Sequence, residues 1–274
     1  MKHIKSSSNY LKMNNSAIGL FDSGMGGLSV WQEIRAGLPA ESLIFFGDGV
    51  RCPYGSRPES EVLQFTVEAV ERLITEGCKL IVIACNTATA VAIDYLREHY
   101  PSVPFVGLEP AIKPAALTTK TGVVAVLATE RSLEGKLFLH TSAKYADKVQ
   151  IIKSVGRDFV EIVERGEEDT PAAEAAVRSV VEPIIEAGAD KIVLGCTHYP
   201  FLRRTIERVI GGREVEIIDS GSAVCRRVAQ LLEENDLRAD ASHSADYRFI
   251  TLGDENYLKQ LQRRAYGCCS KEKA

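Results

Sequence analysis

The stretch Ile81-Val82-Ile83-Ala84-Cys85-Asn86-Thr87 has a counterpart further along the chain, Ile192-Val193-Leu194-Gly195-Cys196-Thr197-His198. Each opens on an apolar run too short for a helix and rich in β-branched residues, the pattern of a strand buried on both faces. Each run ends in a cysteine followed at once by small hydroxyl and polar residues. Ligands bind at the carboxyl ends of the strands of an open parallel sheet. The two stretches therefore predict two thiols, each at the tip of a central strand in one of two related halves. Two matched acid/base groups suit a reaction in which a proton leaves one face of a carbon and arrives on the other.

Around these stretches, apolar strands alternate with amphipathic helices. Strands are expected at 18–21 and 43–46, then a helix over 59–76, the strand ending at Cys85, a helix over 88–99 closed by Pro101, and a short strand over 103–107. The pattern restarts after Pro114. Strands over 123–127 and 149–152 flank a helix over 133–145. A long helix over 172–187 follows, capped by Asp169 or Thr170 with Pro171 in its first turn. The strand ending at Cys196, a helix from about 201 and a strand over 215–218 complete the series. This rhythm predicts an α/β fold: two similar parallel-sheet α/β domains with the active site in the cleft between them. The expected division is a disordered extension over 1–17, a first domain from 18–108 plus 218–274, and a second over 109–217.

The chain has 274 residues, 45% of them apolar and 26% charged, with a net charge of −4. That balance gives no reason to expect a nucleic-acid or membrane-surface partner. No apolar run approaches the roughly 18 residues that span a bilayer, and the Lys-, Ser- and Asn-rich start lacks the apolar core of a signal peptide. Seven cysteines, an odd number in a long chain, argue against a disulfide framework and for a reducing, cytoplasmic setting. Cys78 and Cys225 read as inert small hydrophobes.

Three further motifs carry chemistry. Asp22-Ser23-Gly24-Met25-Gly26-Gly27 follows the first strand; it is either a tight turn or a place where backbone N–H groups approach an anion. Asp22 itself sits where a strand-tip carboxylate acts on a substrate or a neighbouring thiol. Asp48-Gly49-Val50-Arg51-Cys52-Pro53-Tyr54-Gly55 lies on the same sheet edge and offers backbone and hydroxyl donors, or is simply a surface loop. In Cys196-Thr197-His198 an imidazole stands two residues beyond the thiol, where its charge raises the thiolate fraction.

Together these motifs resemble the glutamate racemases of the aspartate/glutamate racemase superfamily. The likeness is carried by Phe21-Asp22-Ser23-Gly24-Met25-Gly26-Gly27-Leu28, Asp48 with Cys52-Pro53-Tyr54-Gly55, Ala84-Cys85-Asn86-Thr87-Ala88, Gly195-Cys196-Thr197-His198-Tyr199-Pro200 and Ile218-Asp219-Ser220-Gly221. It implies a cofactor-independent interconversion of L- and D-glutamate that supplies peptidoglycan synthesis, and it leaves a homodimer open. It implies Cys85 and Cys196 as the two acid/base residues, assisted by Asp22 and His198. It also implies substrate contacts at Asp22, Ser23, Tyr54, Gly55, Asn86, Thr87, Thr197 and His198. The chain departs from the family pattern at Gly49-Val50, at Ala111 and at Ala128-Thr129-Glu130-Arg131.

Three other readings compete. An aspartate-type racemase would use the same cysteines, but in those enzymes the resemblance places a carboxylate where His198 stands. An anion-binding module built on Gly24–Gly27 leaves the paired cysteines unexplained. A thiol hydrolase using Cys196 and His198 leaves Cys85 unexplained.

Overall fold

Strand β1 (Ile18–Asp22) leads into helix α1 (Leu28–Gly37), then β2 (Leu43–Gly47), α2 (Glu59–Thr75), β3 (Leu80–Ile83), α3 (Asn86–His99) and the short β4 (Phe105–Gly107). The middle of the chain forms α4 (Ile112–Thr118), β5 (Val123–Ala128), α5 (Glu130–Glu134), α6 (Lys136–Ala143), β6 (Gln150–Val155), α7 (Phe159–Arg165), α8 (Pro171–Glu186) and β7 (Lys191–Leu194). A 3₁₀ turn, Tyr199–Leu202, precedes α9 (Arg203–Ile210), β8 (Glu216–Ile218), α10 (Gly221–Glu234), β9 (Tyr247–Thr251) and α11 (Glu255–Ala265). This computed structural model describes residues 15–266. The expected extension, apart from residues 15–17, lies outside the described residues, as do Cys268 and Cys269.

The strands form two wholly parallel sheets, ordered β4-β3-β1-β2-β9 and β6-β5-β7-β8. Successive side chains of a strand point to opposite faces, and here both faces are covered. Leu20, Leu80 and Val82 join Leu28, Trp31 and Ile34 of α1 in one core. Phe21, Ile81 and Ile83 join Val70 and Leu73 of α2 and Leu96 of α3 in another. In the second sheet, Ala125, Leu127 and Ile192 pack with Val177 and Val181 of α8, while Val124, Val126 and Val193 pack with Ile112 and Phe138. Burying each Val, Leu or Ile contributes about 1.5–3 kcal/mol, and burial on both faces is why the runs read as continuously apolar.

Thr170, not Asp169, caps α8: its hydroxyl accepts the Ala173 N–H at 3.2 Å. The helix expected over 133–145 is two short helices broken at Gly135, whose backbone is extended. A Cβ there would stand 2.9 Å from the Ala90 Cβ of α3, so the break lets the two segments approach closely. Late in the chain, β9 adds to the free edge of β2, with Tyr247 beside Leu43.

The chain crosses between the sheets twice, from β4 to α4 and from β8 to α10. The crossings touch: the Ser220 hydroxyl donates to the Glu109 carbonyl at 2.6 Å. Among the described residues, no helix is long and apolar enough to cross a membrane.

Candidate active site

Both sheets reverse their winding beside a central strand. In the first, β2 and β3 flank β1; in the second, β6 and β7 flank β5. Such reversals open a crevice at the carboxyl ends of the two strands concerned. The tips at the first reversal are Asp22-Ser23 and Cys85-Asn86; at the second they are Ala128-Thr129 and Cys196-Thr197-His198.

Cys85 caps α3. Its sulfur accepts the Ala88 N–H at 3.5 Å and lies 3.4 Å from the Ser23 hydroxyl. Burial, with the negative charge of Asp22, pushes this thiol up to about 12, so it rests protonated. The next residue, Asn86, holds a buried amide nitrogen with no hydrogen-bond partner. A buried donor left unsatisfied costs about 1–3 kcal/mol, which marks this atom as set for a ligand acceptor. Thr87 Oγ1 stands 3.1 Å from Thr129 Oγ1 and 3.4 Å from Ser132 Oγ, so hydroxyls from the tips of both sheets form one cluster. Thr129 and Ser132 were not among the expected site residues.

Asp22 is fully buried. One carboxylate oxygen accepts the Gly24 and Gly27 N–H groups at 3.3 and 2.9 Å, and the other accepts the Thr197 hydroxyl at 3.3 Å. Burial raises its pKa, opposed by the nearby His198 cation. The glycine turn thus directs N–H groups at the protein's own carboxylates: Met25 N–H goes to Glu164 Oε1 at 2.7 Å. The turn is thus tight, and the anions its N–H groups meet are carboxylates of the chain itself. Asp22 acts on Cys85 through its charge, and the hydroxyl in contact with that thiol is Ser23.

At the other reversal, Cys196 Sγ faces His198 Nδ1 at 3.8 Å, and His198 Nε2 meets Glu164 Oε1 at 2.7 Å. Tyr257 donates to the second Glu164 oxygen at 3.0 Å. Burial disfavours a charged His198, but hydrogen bonds with Cys196, Cys52 and Glu164 outweigh it and hold the imidazole well above its usual pKa. Burial acts to raise Glu164, yet its bonds to His198, Met25 and Tyr257 hold it below the usual carboxylate value. The result is an imidazolium–carboxylate pair behind Cys196. A side chain at Gly26 would place its Cβ 2.3 Å from His198 Nδ1, so only glycine admits the ring there. Glu164, on α7, was not expected from the sequence. Its short helix carries no motif, and its role arises wholly from tertiary approach to the glycine turn.

Tyr54 is buried and donates its hydroxyl to Asp48 at 2.7 Å, alongside Arg51. The phenol proton is thereby committed to Asp48. Gly55 lies against Thr129, to whose Cβ a glycine-replacing Cβ would come within 3.1 Å. A cavity of about 180 Å³ is lined by Asn86, Cys196 and Thr197 together with Ser29 and Ser220.

Comparison with known proteins matches residues 18–228 to the family described as Asp/Glu/Hydantoin racemase. A curated glutamate racemase of Herpetosiphon aurantiacus is 44% identical over 251 residues, covering 92% of this chain and 98% of that protein. The crystal structure of glutamate racemase isoform RacE1 from Bacillus anthracis superposes with a TM-score of 0.82 at 32% identity, covering 93% of this chain and 95% of that one. That of the Francisella tularensis glutamate racemase in complex with D-glutamate gives a TM-score of 0.78 at 27% identity, covering 91% and 92%.

Proposed function

The chain belongs to the Asp/Glu/Hydantoin racemase family, and from that footing we propose that it interconverts L- and D-glutamate without a cofactor, by passing a proton between Cys85 and Cys196. The observation that carries this reading is the opposite setting of two matched thiols. Cys85 is buried near a carboxylate and keeps its proton. Cys196 faces the His198 ring at 3.8 Å, a group able to exchange a proton with it.

For one enantiomer, the Cys196 thiolate removes the α-proton and the Cys85 thiol delivers its own to the opposite face. The site is then left with a Cys85 thiolate and a Cys196 thiol, the state that serves the other enantiomer. His198 and Asp22 assist the two thiols from their respective sides. The intermediate carbanion needs its charge spread onto the α-carboxylate, and preorganised donors are the means of stabilising it. The unpartnered Asn86 amide and the hydroxyls of Ser23 and Thr87 supply them, with Thr197, Tyr54 and Gly55 completing the substrate's surroundings. Asp22 and His198 also line the substrate. The product D-glutamate supplies peptidoglycan synthesis in the cytoplasm. Either monomer or homodimer fits this scheme.

The test is to incubate the protein with L-glutamate in deuterated water and follow the α-proton by NMR alongside optical rotation. Deuterium appearing at Cα as the rotation falls to zero is the expected result. Retained α-protium with unchanged rotation would refute it.

A further inference from the structure

The Cys52 thiol, the Glu164 carboxylate and the His198 imidazole come from three separate parts of the chain. One donor atom of each lies within 4.8 Å of the other two, a grouping of three or more such side chains that stands alone among the described residues. Cys52 and Glu164 are half-buried residues and His198 is buried. Glycines make room for it. A Cβ at Gly24 would fall 2.2 Å from Glu164 Oε1 and 2.9 Å from Cys52 Sγ, and one at Gly26 would overlap the His198 ring.

One thiolate sulfur, one imidazole nitrogen and one carboxylate oxygen is a donor set that zinc accepts. Zinc–ligand bonds of about 2.0–2.3 Å set tetrahedral donors about 3.3–3.8 Å apart, so the His198–Glu164 pair opens from 2.7 Å while Cys52 draws in from within 4.8 Å. His198 and Glu164 already share a proton across 2.7 Å, and a cation in its place leaves both satisfied. Glu164 is further held by the Met25 N–H and the Tyr257 hydroxyl, the kind of outer support that fixes a metal ligand. Cys52 has no part in the proposed proton transfer.

We propose that Cys52, Glu164 and His198 form a binding site for a divalent transition-metal ion of the zinc type, and that the bound ion inhibits the enzyme by replacing the proton between His198 Nε2 and Glu164, which locks the ring facing Cys196 through Nδ1 in one protonation state. Binding requires the Cys52 thiol to give up its proton. The inhibition rests on the racemisation proposed above; the binding does not.

The experiment uses the full chain with Co²⁺ as a spectroscopic probe and Zn²⁺ as inhibitor, the latter in competition with a chromophoric chelator. The expected result is one metal ion per chain and a near-ultraviolet thiolate-to-cobalt absorption. That absorption survives in a Cys85→Ala/Cys196→Ala double variant and is lost in Cys52→Ser and Cys52→Ala variants that circular dichroism shows to be folded. Zinc inhibits the unaltered enzyme, a chelator restores it, and Cys52→Ala requires at least about tenfold more zinc for the same inhibition. Absence of metal binding would overturn the proposal. So would an absorption that survives in Cys52→Ala and disappears in the double variant, which would put the metal on the Cys85 and Cys196 thiols. A cobalt band with the expected variant pattern in a protein that does not racemise glutamate would leave the site standing and refute the activity.

Discussion

Glu164 Oε1 and His198 Nε2 stand 2.7 Å apart, joining helix α7 to the loop that follows β7 and carries Cys196. The contact holds opposite charges in a buried setting, and it fixes how each responds to pH. The His198 pKa is raised in the folded protein. Its stabilising contribution is therefore complete below the unfolded value of about 6.5 and is lost as pH rises through the folded value. The Glu164 pKa is lowered. Its contribution is complete above the unfolded value of about 4.3 and is lost as pH falls through the folded one. The pair is intact across the whole interval between.

Replacing Glu164 by Gln removes the charge that sustains the imidazolium. The His198 midpoint, followed by NMR, should move down, and the alkaline loss of stability, followed by denaturant unfolding at a series of pH values, should move down with it. A midpoint that stays where it was would show that Glu164 does not hold the charge on His198.

His198→Asn should slow racemisation by less than the loss of a thiol, within the roughly 10²–10⁴-fold range of a general acid/base group. Because the two enantiomers are equal in free energy in water, kcat/KM must fall equally in both directions. The asymmetry should appear in kcat and KM separately, with one direction losing more in kcat. Steady-state kinetics run from each enantiomer measure this, and unchanged values from both would reduce His198 to a structural residue.

Cys85→Ala and Cys196→Ala should each abolish racemisation while leaving the fold intact by circular dichroism. Each should still eliminate a leaving group from a β-substituted analogue of one hand only, since one thiol remains on one face of Cα. Near-normal racemisation by Cys85→Ala would rule out the two-thiol scheme.

Asn86→Ala separates binding from stability. The wild-type amide nitrogen is buried without a partner, a state that costs about 1–3 kcal/mol. Its removal should leave the thermal midpoint unchanged or higher while kcat/KM for glutamate falls by at least about tenfold, the loss of one charge-assisted hydrogen bond of about 1.5–3 kcal/mol. A drop in thermal midpoint with intact kinetics would make Asn86 a structural residue instead.

The sequence exposes what sits at strand tips. β1, β3, β5 and β7 are buried on both faces, so they read as short continuous apolar runs, and the residues that follow them stand out by position. Asp22, Ser23, Cys85, Asn86, Thr197 and His198 are visible for that reason, and hydrogen bonds link several of them in the fold. Glu164 is invisible because it lies on a seven-residue helix, Phe159–Arg165, whose pattern is that of any amphipathic turn. Its partners Met25, His198 and Tyr257 come from distant parts of the chain. Ser132 hides in the same way, inside α5; Thr129 directly follows β5, but its meeting with Thr87 depends on two sheets coming together. β9 escapes for another reason. It is an edge strand whose residues are all half-buried except the exposed Arg248, so it lacks the buried apolar run of a central strand. The break at Gly135 answers to the proximity of α3 and to nothing in its own neighbourhood of sequence.

The hydrogen bond between Ser220 and Glu109 has a mechanical consequence. Two connecting segments tied side by side leave the halves one easy motion, a swing about the line on which they lie, much as two knuckles on one pin guide a door. Sliding and twisting are resisted by the chain itself. Met25 N–H to Glu164 and the Ser29 hydroxyl to the Thr197 carbonyl also join the two halves, so a swing wide enough to part them would free both. Because the Met25 bond helps to keep Glu164 ionised, parting it would change the charges around Cys196.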